Sequence, residues 1–177
     1  MIRTMLVATD GSEHAKKALK LAGDIAAKYK ARLVVLHVLM GNARSATLRK
    51  LANRRALGKA LRERLDNYEI EFQTAIAAAG EAASFVPIPP PQELVEAIGR
   101  QVIERAGQAA KKAGVKRVAT VLKGGDPADA ILETAKREKA DMIVLGSRGL
   151  GDFKGLVLGS VSHKVSSRAE CTCVTVT

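Results

Sequence analysis

The sequence predicts an α/β fold, an open, doubly wound, five-stranded parallel sheet with helices on both faces. Three observations predict it. Apolar runs of strand length occur at Thr4 to Thr9, Arg32 to Leu39, Arg117 to Leu122 and Met142 to Leu145, with a last one at Cys173 to Val176. The first two do not alternate with polar residues, the pattern of strands covered on both faces. Stretches of helical period separate the runs, giving β-α-β-(insertion)-α-β-α-β-α-β. Loops at Ala8 to Ser12, at Val38 to Gly41 and from Gly146 onward follow strand carboxyl ends, where open sheets of this kind bind ligands near a topological switch point.

Each element has a local reason. After the first strand, Asp10 and Gly11 make a turn and Ser12 is an N-cap for a helix from about Glu13 to Lys30. Ala15, Ala18, Leu19, Ala22, Ile25, Ala26 and Tyr29 form its apolar stripe, and the small residues let it lie close to a sheet. His37, inside the second apolar run, fits a core or rim position better than a ligand role.

Residues 42–92 break the pattern and read as an insertion within a single domain of residues 1–177. Ala46 to Asn67 is helical and basic, with Leu57, Leu61 and Leu65 at four-residue spacing. Tyr68 to Phe72 alternates and reads as a short extension or a helix end. The proline-rich stretch Pro87 to Pro91 is neither regular helix nor central strand, and serves as a semi-rigid connector.

From Glu93, the residues Leu94, Ile98, Val102, Ala106, Ala109 and Ala113 mark a helix that Gly114 ends. Asp126 caps the next helix, with Pro127 in its first position and Asp129 adding negative charge to the first turn. That helix runs to about Lys139 and packs Ile131, Leu132 and Ala135. A final helix spans about Ser160 to Arg168.

Composition excludes several classes. No apolar run approaches the roughly 18 residues of a membrane span, and the first residues lack the pattern of a signal peptide, which favours a cytoplasmic location. Cys171 and Cys173 are poorly placed for a disulfide with each other, and they fit two small apolar residues of a late strand better than a metal site. The formal charge of +11 attracts anions, but three Phe and two Tyr are too few to interleave a single-strand-binding surface, so no specific nucleic-acid partner is expected. Part of the charge is local. The run from Arg44 to Arg64 is opposed only by Glu63, and reads as a solvated helix face or a contact for an acidic protein partner at 44–66.

The common nucleotide and catalytic motifs are missing. The sequence contains no P-loop, no dinucleotide fingerprint and no nucleophile elbow, and His14, His37 and His163 lack metal-ligand spacing. What it does contain is Gly146-x-x-Gly149, nine residues, then Gly159-Ser160, preceded by Leu6-Val7-Ala8-Thr9-Asp10-Gly11-Ser12 at the amino end. Backbone N–H groups of a glycine-rich loop and a helix N-terminus together suit a phosphate.

These motifs resemble the ATP-binding branch of the universal stress protein family, and the likeness covers residues 1–41 and 93–177. Ala140 to Gly149 is similar to that family's fourth strand and loop, Ser160 to Val165 to its last helix, and Cys173 to Val176 to its closing strand. Thr172 stands where the family often has Pro, and the insertion is longer than a compact member needs. The resemblance implies a Rossmann-like fold of the adenine nucleotide alpha hydrolase type and a bound ATP, ADP or AMP, with Mg entering through the phosphates. It places Ala8, Thr9 and Asp10 beside the nucleoside, with Asp10 near the ribose hydroxyls, and Val38 against the adenine. It places Gly146, Ser147, Arg148, Gly149, Gly159, Ser160, Val161 and Ser162 around ribose and phosphates. The hydroxyls of Ser160 and Ser162 are candidate donors; Arg148 is either a charge-assisted contact or a solvated loop residue.

The resemblance further implies a homodimer joined through the C-terminal strand and a regulatory, stress-response role with little or no turnover. No general base is positioned, so no catalytic residue is assigned. Two rival functions remain: a slow ATP hydrolase using Asp10 and Mg, and a nucleotide-free interaction protein acting through the basic insertion, for instance on a transporter.

Overall fold

The computed structural model describes residues 1–39, 48, 51–52, 58–79, 89–150 and 158–177. Among the described residues these elements follow in chain order: β1 (Thr4–Ala8), α1 (Glu13–Tyr29), β2 (Arg32–Val38), α2 (Lys59–Ala79), α3 (Gln92–Lys112), β3 (Arg117–Lys123), α4 (Pro127–Arg137), β4 (Met142–Gly146), α5 (Ser160–Arg168) and β5 (Thr172–Val176). The strands form one five-stranded sheet in the order β3-β2-β1-β4-β5, parallel throughout. The sheet therefore reverses direction of growth at β1, and the switch point lies between β1 and β4.

Both faces are covered, as the unalternating strand sequences require. On one face Met5, Val7, Leu33, Val35 and Val144 pack with Leu19, Ala22 and Ala26 of α1 and with Ile103, Ala106 and Ala110 of α3. On the other face Leu6, Val34, Leu36, Ile143 and Leu145 pack with Ala128, Ile131 and Ala135 of α4 and Val165 of α5. Met5, Leu6 and Val7 have no exposed surface, so β1 is the centre of the sheet in burial as well as in order.

The predicted caps are present. The Ser12 hydroxyl accepts from the Ala15 amide, and the Asp126 carboxylate accepts from the amides of Ala128 and Asp129 with Pro127 in the first helical position. Gly114 ends the α3 region at φ +88°, a conformation that only glycine adopts freely. Asp141, just before β4, accepts from the amides of Arg3 and Thr4 at 2.7 and 2.9 Å and so ties the start of β1 to the start of β4. Those two N–H donors hold its carboxyl below the usual carboxylate range.

Three helical details differ from the sequence reading. Tyr29 belongs to α1 but is 53% exposed, because the stripe closes at Ala26 and Tyr29 lies in the last residue of the helix. Of the stripe expected from Glu93 onward, Leu94, Ile98, Val102 and Ala106 are buried, but Ala109 and Ala113 are exposed and Ala110 is buried instead, so the stripe shifts by one residue at its carboxyl end. Tyr68 to Phe72 lies inside the single helix α2. Five alternating residues are too few to separate the two periods. At helical spacing Leu65, Tyr68 and Phe72 share a side, with the two rings 6.2 Å apart, while Ile70 is exposed.

The chain divides into two compact units, residues 1–39 with 102–177 and residues 40–101, with the division inside α3. The first unit holds the whole sheet. In the second, Leu48, Leu51, Leu65, Tyr68, Leu94 and Ile98 are buried, and Arg64 forms an ion pair with Glu93. Most of the basic run from Arg44 to Arg55, Leu57, and the stretch from Gly80 to Ile88 lie outside the described residues.

Leu33→Ala, in the central layer of the first unit, is expected to lower unfolding free energy by about 2–5 kcal/mol. Tyr29→Ala is expected to stay within about 1 kcal/mol. Urea denaturation of the two variants checks the burial assigned to each.

Candidate functional site

The carboxyl ends of β1 and β4 carry two of the three loops that the sequence singles out; the third, Val38 to Gly41, runs beyond the described residues after Leu39. The β1 loop is held from within. The Ser12 amide donates to Asp10 Oδ1 at 2.9 Å, the Gly11 amide donates to Thr9 Oγ1 at 3.2 Å, and Gly11 turns the chain at φ +82°. The Thr9 amide extends the ladder to Leu36 O at 2.9 Å.

Thr9 is also anchored by His37, which is 3% exposed. Thr9 O can only accept, so the 2.7 Å contact with His37 Nδ1 makes that nitrogen the donor and fixes the tautomer. Burial holds the His37 pKa below its ordinary value, against the opposing pull of the Thr9 carbonyl and the Asp10 carboxylate. The imidazole is a neutral bracket between β2 and the β1 loop, which agrees with the core or rim position expected for it.

The β4 loop is tied to everything around it. The Leu150 amide donates to Asp10 Oδ2 at 3.0 Å, joining two loops 140 residues apart in sequence. Both oxygens of Asp10 therefore hold backbone. Ser147 is a hub: its amide donates to Val176 O at 2.7 Å, and its carbonyl accepts from the Gly159 amide at 2.7 Å and from Ser162 Oγ at 2.8 Å. β4, β5 and the start of α5 meet at that one residue. The Ser147 side chain is 1% exposed, and among the described residues its hydroxyl has no hydrogen-bond partner.

The glycines divide into different uses. A Cβ on Gly146 would lie 2.8 Å from the His14 carbonyl carbon and 2.9 Å from the Ala15 amide nitrogen, so this glycine lets β4 end against the first turn of α1. A Cβ on Gly149 would lie 2.5 Å from Asp10 Oδ2, so this one lets the two loops close. Gly159 is the N-cap of α5 and makes no side-chain cap hydrogen bond. The first N–H groups of that helix, which no helix satisfies internally, meet no side-chain acceptor among the described residues.

With that geometry in place, the comparisons with known proteins are direct. Residues 1–177 match the Universal stress protein family. The chain belongs to that family. It is 31% identical over 178 residues to Universal stress protein YxiE of Bacillus subtilis (strain 168), covering 97% of this chain and 96% of that one. It is 34% identical over 173 residues to a universal stress protein of Thermus aquaticus, again covering 97% and 96%.

Among solved structures, it is similar to universal stress protein UspA from Lactobacillus plantarum, with TM-score 0.66, 21% identity and 99% and 98% of the two chains covered. It is similar as well to a universal stress protein from Archaeoglobus fulgidus in complex with dAMP, with TM-score 0.61, 16% identity and 100% and 98% covered. A universal stress protein in complex with cAMP aligns with TM-score 0.60, 24% identity and 99% and 96% covered. At these identities the structural likeness bears on the fold, which is the doubly wound sheet the sequence predicts.

In this family member, Ala8, Asp10, Gly146, Gly159 and Val161 are half-buried, and Arg148, Gly149 and Ser160 are exposed. Thr9, Val38, Ser147 and Ser162 are buried. The structure brings the β1 residues, the β4 loop and the start of α5 together through named hydrogen bonds. Val38 is the last residue of the neighbouring strand β2.

Ser162 departs from the expected use. Its single proton lies between Ser147 O at 2.8 Å and Gly159 O at 2.9 Å, so the hydroxyl latches the loop and is not a free donor. Leu150 is the residue the sequence reading omitted. It acts through its backbone amide, and no side-chain type could have signalled it. Among the described residues no group of three or more His, Cys, Asp or Glu could hold a metal ion.

Gly146→Ala is expected to destabilise the protein by about 1–3 kcal/mol in chemical denaturation, because the new methyl meets backbone that cannot rotate away. Burial of neutral His37 favours the folded state fully above its unfolded pKa of about 6.5 and progressively less as pH falls below it toward the lowered folded pKa. The urea midpoint of the native protein should therefore fall more between about pH 7.5 and about pH 5.5 than that of His37→Gln. Equal falls in the two proteins would remove the bracket role given to the imidazole.

Proposed function

We propose that this member of the universal stress protein family binds an adenine nucleotide, ATP or its ADP and AMP relatives, at the carboxyl ends of β1 and β4. It then acts as a cytoplasmic regulatory protein with little or no turnover. The observation that carries the reading is the start of α5. Gly159 opens the helix without a side-chain cap, and the Ser147 carbonyl holds that glycine in place. An uncapped helix N-terminus presents N–H groups and partial positive charge, which suits phosphate. Exposed Ser160 adds a hydroxyl and exposed Arg148 a cation beside the same loop. The related proteins described as complexes with cAMP and dAMP support an adenine nucleotide in particular.

The remaining residues would act in two ways. Ala8, Asp10 and Val161 are accessible enough to border the nucleoside. Thr9, Ser147 and Ser162 would shape the loops from behind, with Gly146 and Gly149 allowing the close approaches described above. Mg would come with the phosphates, since oxygen-rich phosphates are its usual partners. The use of both Asp10 oxygens as acceptors for backbone amides favours a binding role over that of a general base. Residues 42–92 would form an insertion within a single-domain chain, with its basic stretch meeting a protein partner. β5 lies at one end of the sheet, and a second copy would complete its open edge and form a homodimer.

Mass spectrometry of material released on denaturing the purified protein should show an adenine nucleotide, and calorimetry should show ATP binding. Gly159→Val should weaken that binding by at least about tenfold, a cost of about 1.4 kcal/mol, with the circular dichroism of the fold retained. Unchanged affinity in Gly159→Val would place the phosphates elsewhere. Turnover with Mg at about 1 per second or faster, abolished by Asp10→Ala, would replace the regulatory reading with an enzymatic one.

A further inference from the structure

The opposite end of the sheet carries a feature that nucleotide binding does not use. Strand register brings Thr4, Arg32 and Arg117 level, so the residues just before β1, β2 and β3 share one end of the sheet. The last turns of α1 and α3 reach the same end. They lie close together there: a Cβ on Gly23 would meet Ala113 Cβ at 3.1 Å, and one on Gly114 would lie 3.8 Å from Ala27 Cβ. The Arg117 guanidinium donates to Lys30 O at 2.9 Å across the gap between the two turns.

This small area holds Lys28, Lys30, Lys111, Lys112, Lys116 and Arg117, all exposed. None of the six takes part in an ion pair among the described residues. Asp24, one turn before Lys28, is the acid of α1 at this end and forms no ion pair among the described residues, and two further carboxylates near the strand starts are occupied. Glu138 is paired with Arg32 and Arg137, and Asp141 accepts the amides of Arg3 and Thr4. Helix C-termini favour cations, which accounts for Lys28, Lys111 and Lys112. It extends to Lys30, the C-cap of α1, while Arg117 donates to the Lys30 carbonyl; Lys116, just before β3, has no such local role. Between Lys28 and Lys30 in the chain stands Tyr29, one of the few large apolar side chains left exposed among the described residues.

We propose that this end of the α1/α3 layer docks on an anionic lipid bilayer. The composition selects that partner among polyanions. Five of the six cations are lysines, compact hydrated charges suited to a diffuse headgroup potential, whereas specific phosphate recognition favours the arginine fork. A lone exposed tyrosine among lysines has the character of an interfacial anchor, while single-stranded nucleic acid calls for successive stacking rings. Among the described residues no element at this end is shaped to enter a groove; it consists of helix ends and strand starts. Because the surface lies at the amino ends of the strands, docking leaves the carboxyl-end loops free. The proposal therefore stands or falls independently of nucleotide binding.

The test is co-sedimentation of the full chain with vesicles of pure phosphatidylcholine and of phosphatidylcholine mixed with phosphatidylglycerol. Binding is expected to the anionic vesicles only, weakening as salt is raised. The triple variant Lys28→Gln, Lys112→Gln, Lys116→Gln should lose about a hundredfold in partitioning, from about 1 kcal/mol per cation. Tyr29→Ser should lose severalfold with no change in charge. The control Lys20→Gln, Lys59→Gln, Arg100→Gln carries the same charge change elsewhere and should bind nearly as the native chain does. An equal loss in the control would show that net charge alone acts and would overturn the assignment. So would absence of binding to anionic vesicles at low salt, or preferential capture by duplex DNA in competition.

Discussion

The parallel pairing of β1 with β4 is the constraint on which the rest of this structure depends. It joins Met5 to Met142, Leu6 to Ile143 and Val7 to Val144, across most of the length of the chain. Helices on both faces bury the centre of this pair, Met5 to Val7 with Ile143 and Val144, so its register is set by hydrophobic burial on two sides. Everything at the carboxyl end follows from it. With β1 and β4 side by side, Asp10 reaches the Leu150 amide, Gly146 ends against α1, and Ser147 meets Val176 and Gly159. The same pairing places Asp141 under the amides of Arg3 and Thr4 at the other end. Loops are the mobile parts of most folds, and here side-chain and backbone acceptors at both ends of one strand pair hold them.

Much of the architecture was legible because the signals were redundant. The unalternating strands, Ser12 and Asp126 as caps, and Gly114 as a helix stop each predict a local conformation, and the parallel sheet satisfies all of them together. The errors arise where one signal stood alone. Tyr29 continues a helical period that the packing no longer uses, and Tyr68 to Phe72 has a strand's alternation within a helix. Ala109 and Ala113 failed because alanine on its own distinguishes poorly between a buried and an exposed side.

The site was legible in its parts and less so in their roles. The spaced glycines and Asp10 marked the two loops that the fold joins at the carboxyl ends of β1 and β4, but spacing could not separate their uses. Gly146 serves packing against α1, Gly149 serves the approach to Asp10, and Gly159 serves the open helix start. Ser160 and Ser162 look alike in sequence, yet one is exposed and the other spends its proton on two carbonyls. Backbone donors such as Leu150 carry no side-chain signature, so only the folded chain reveals them.

The central claim is that an adenine nucleotide enters at the carboxyl ends of β1 and β4, held by the N-terminus of α5. Amide chemical shifts followed by NMR as ATP is added test it most directly. Large shifts are expected at Asp10, Gly149, Leu150 and Gly159 to Ser162, with Lys28, Lys112 and Lys116 unmoved. Shifts concentrated at the lysine-rich end, with the Gly159 region silent, would contradict it.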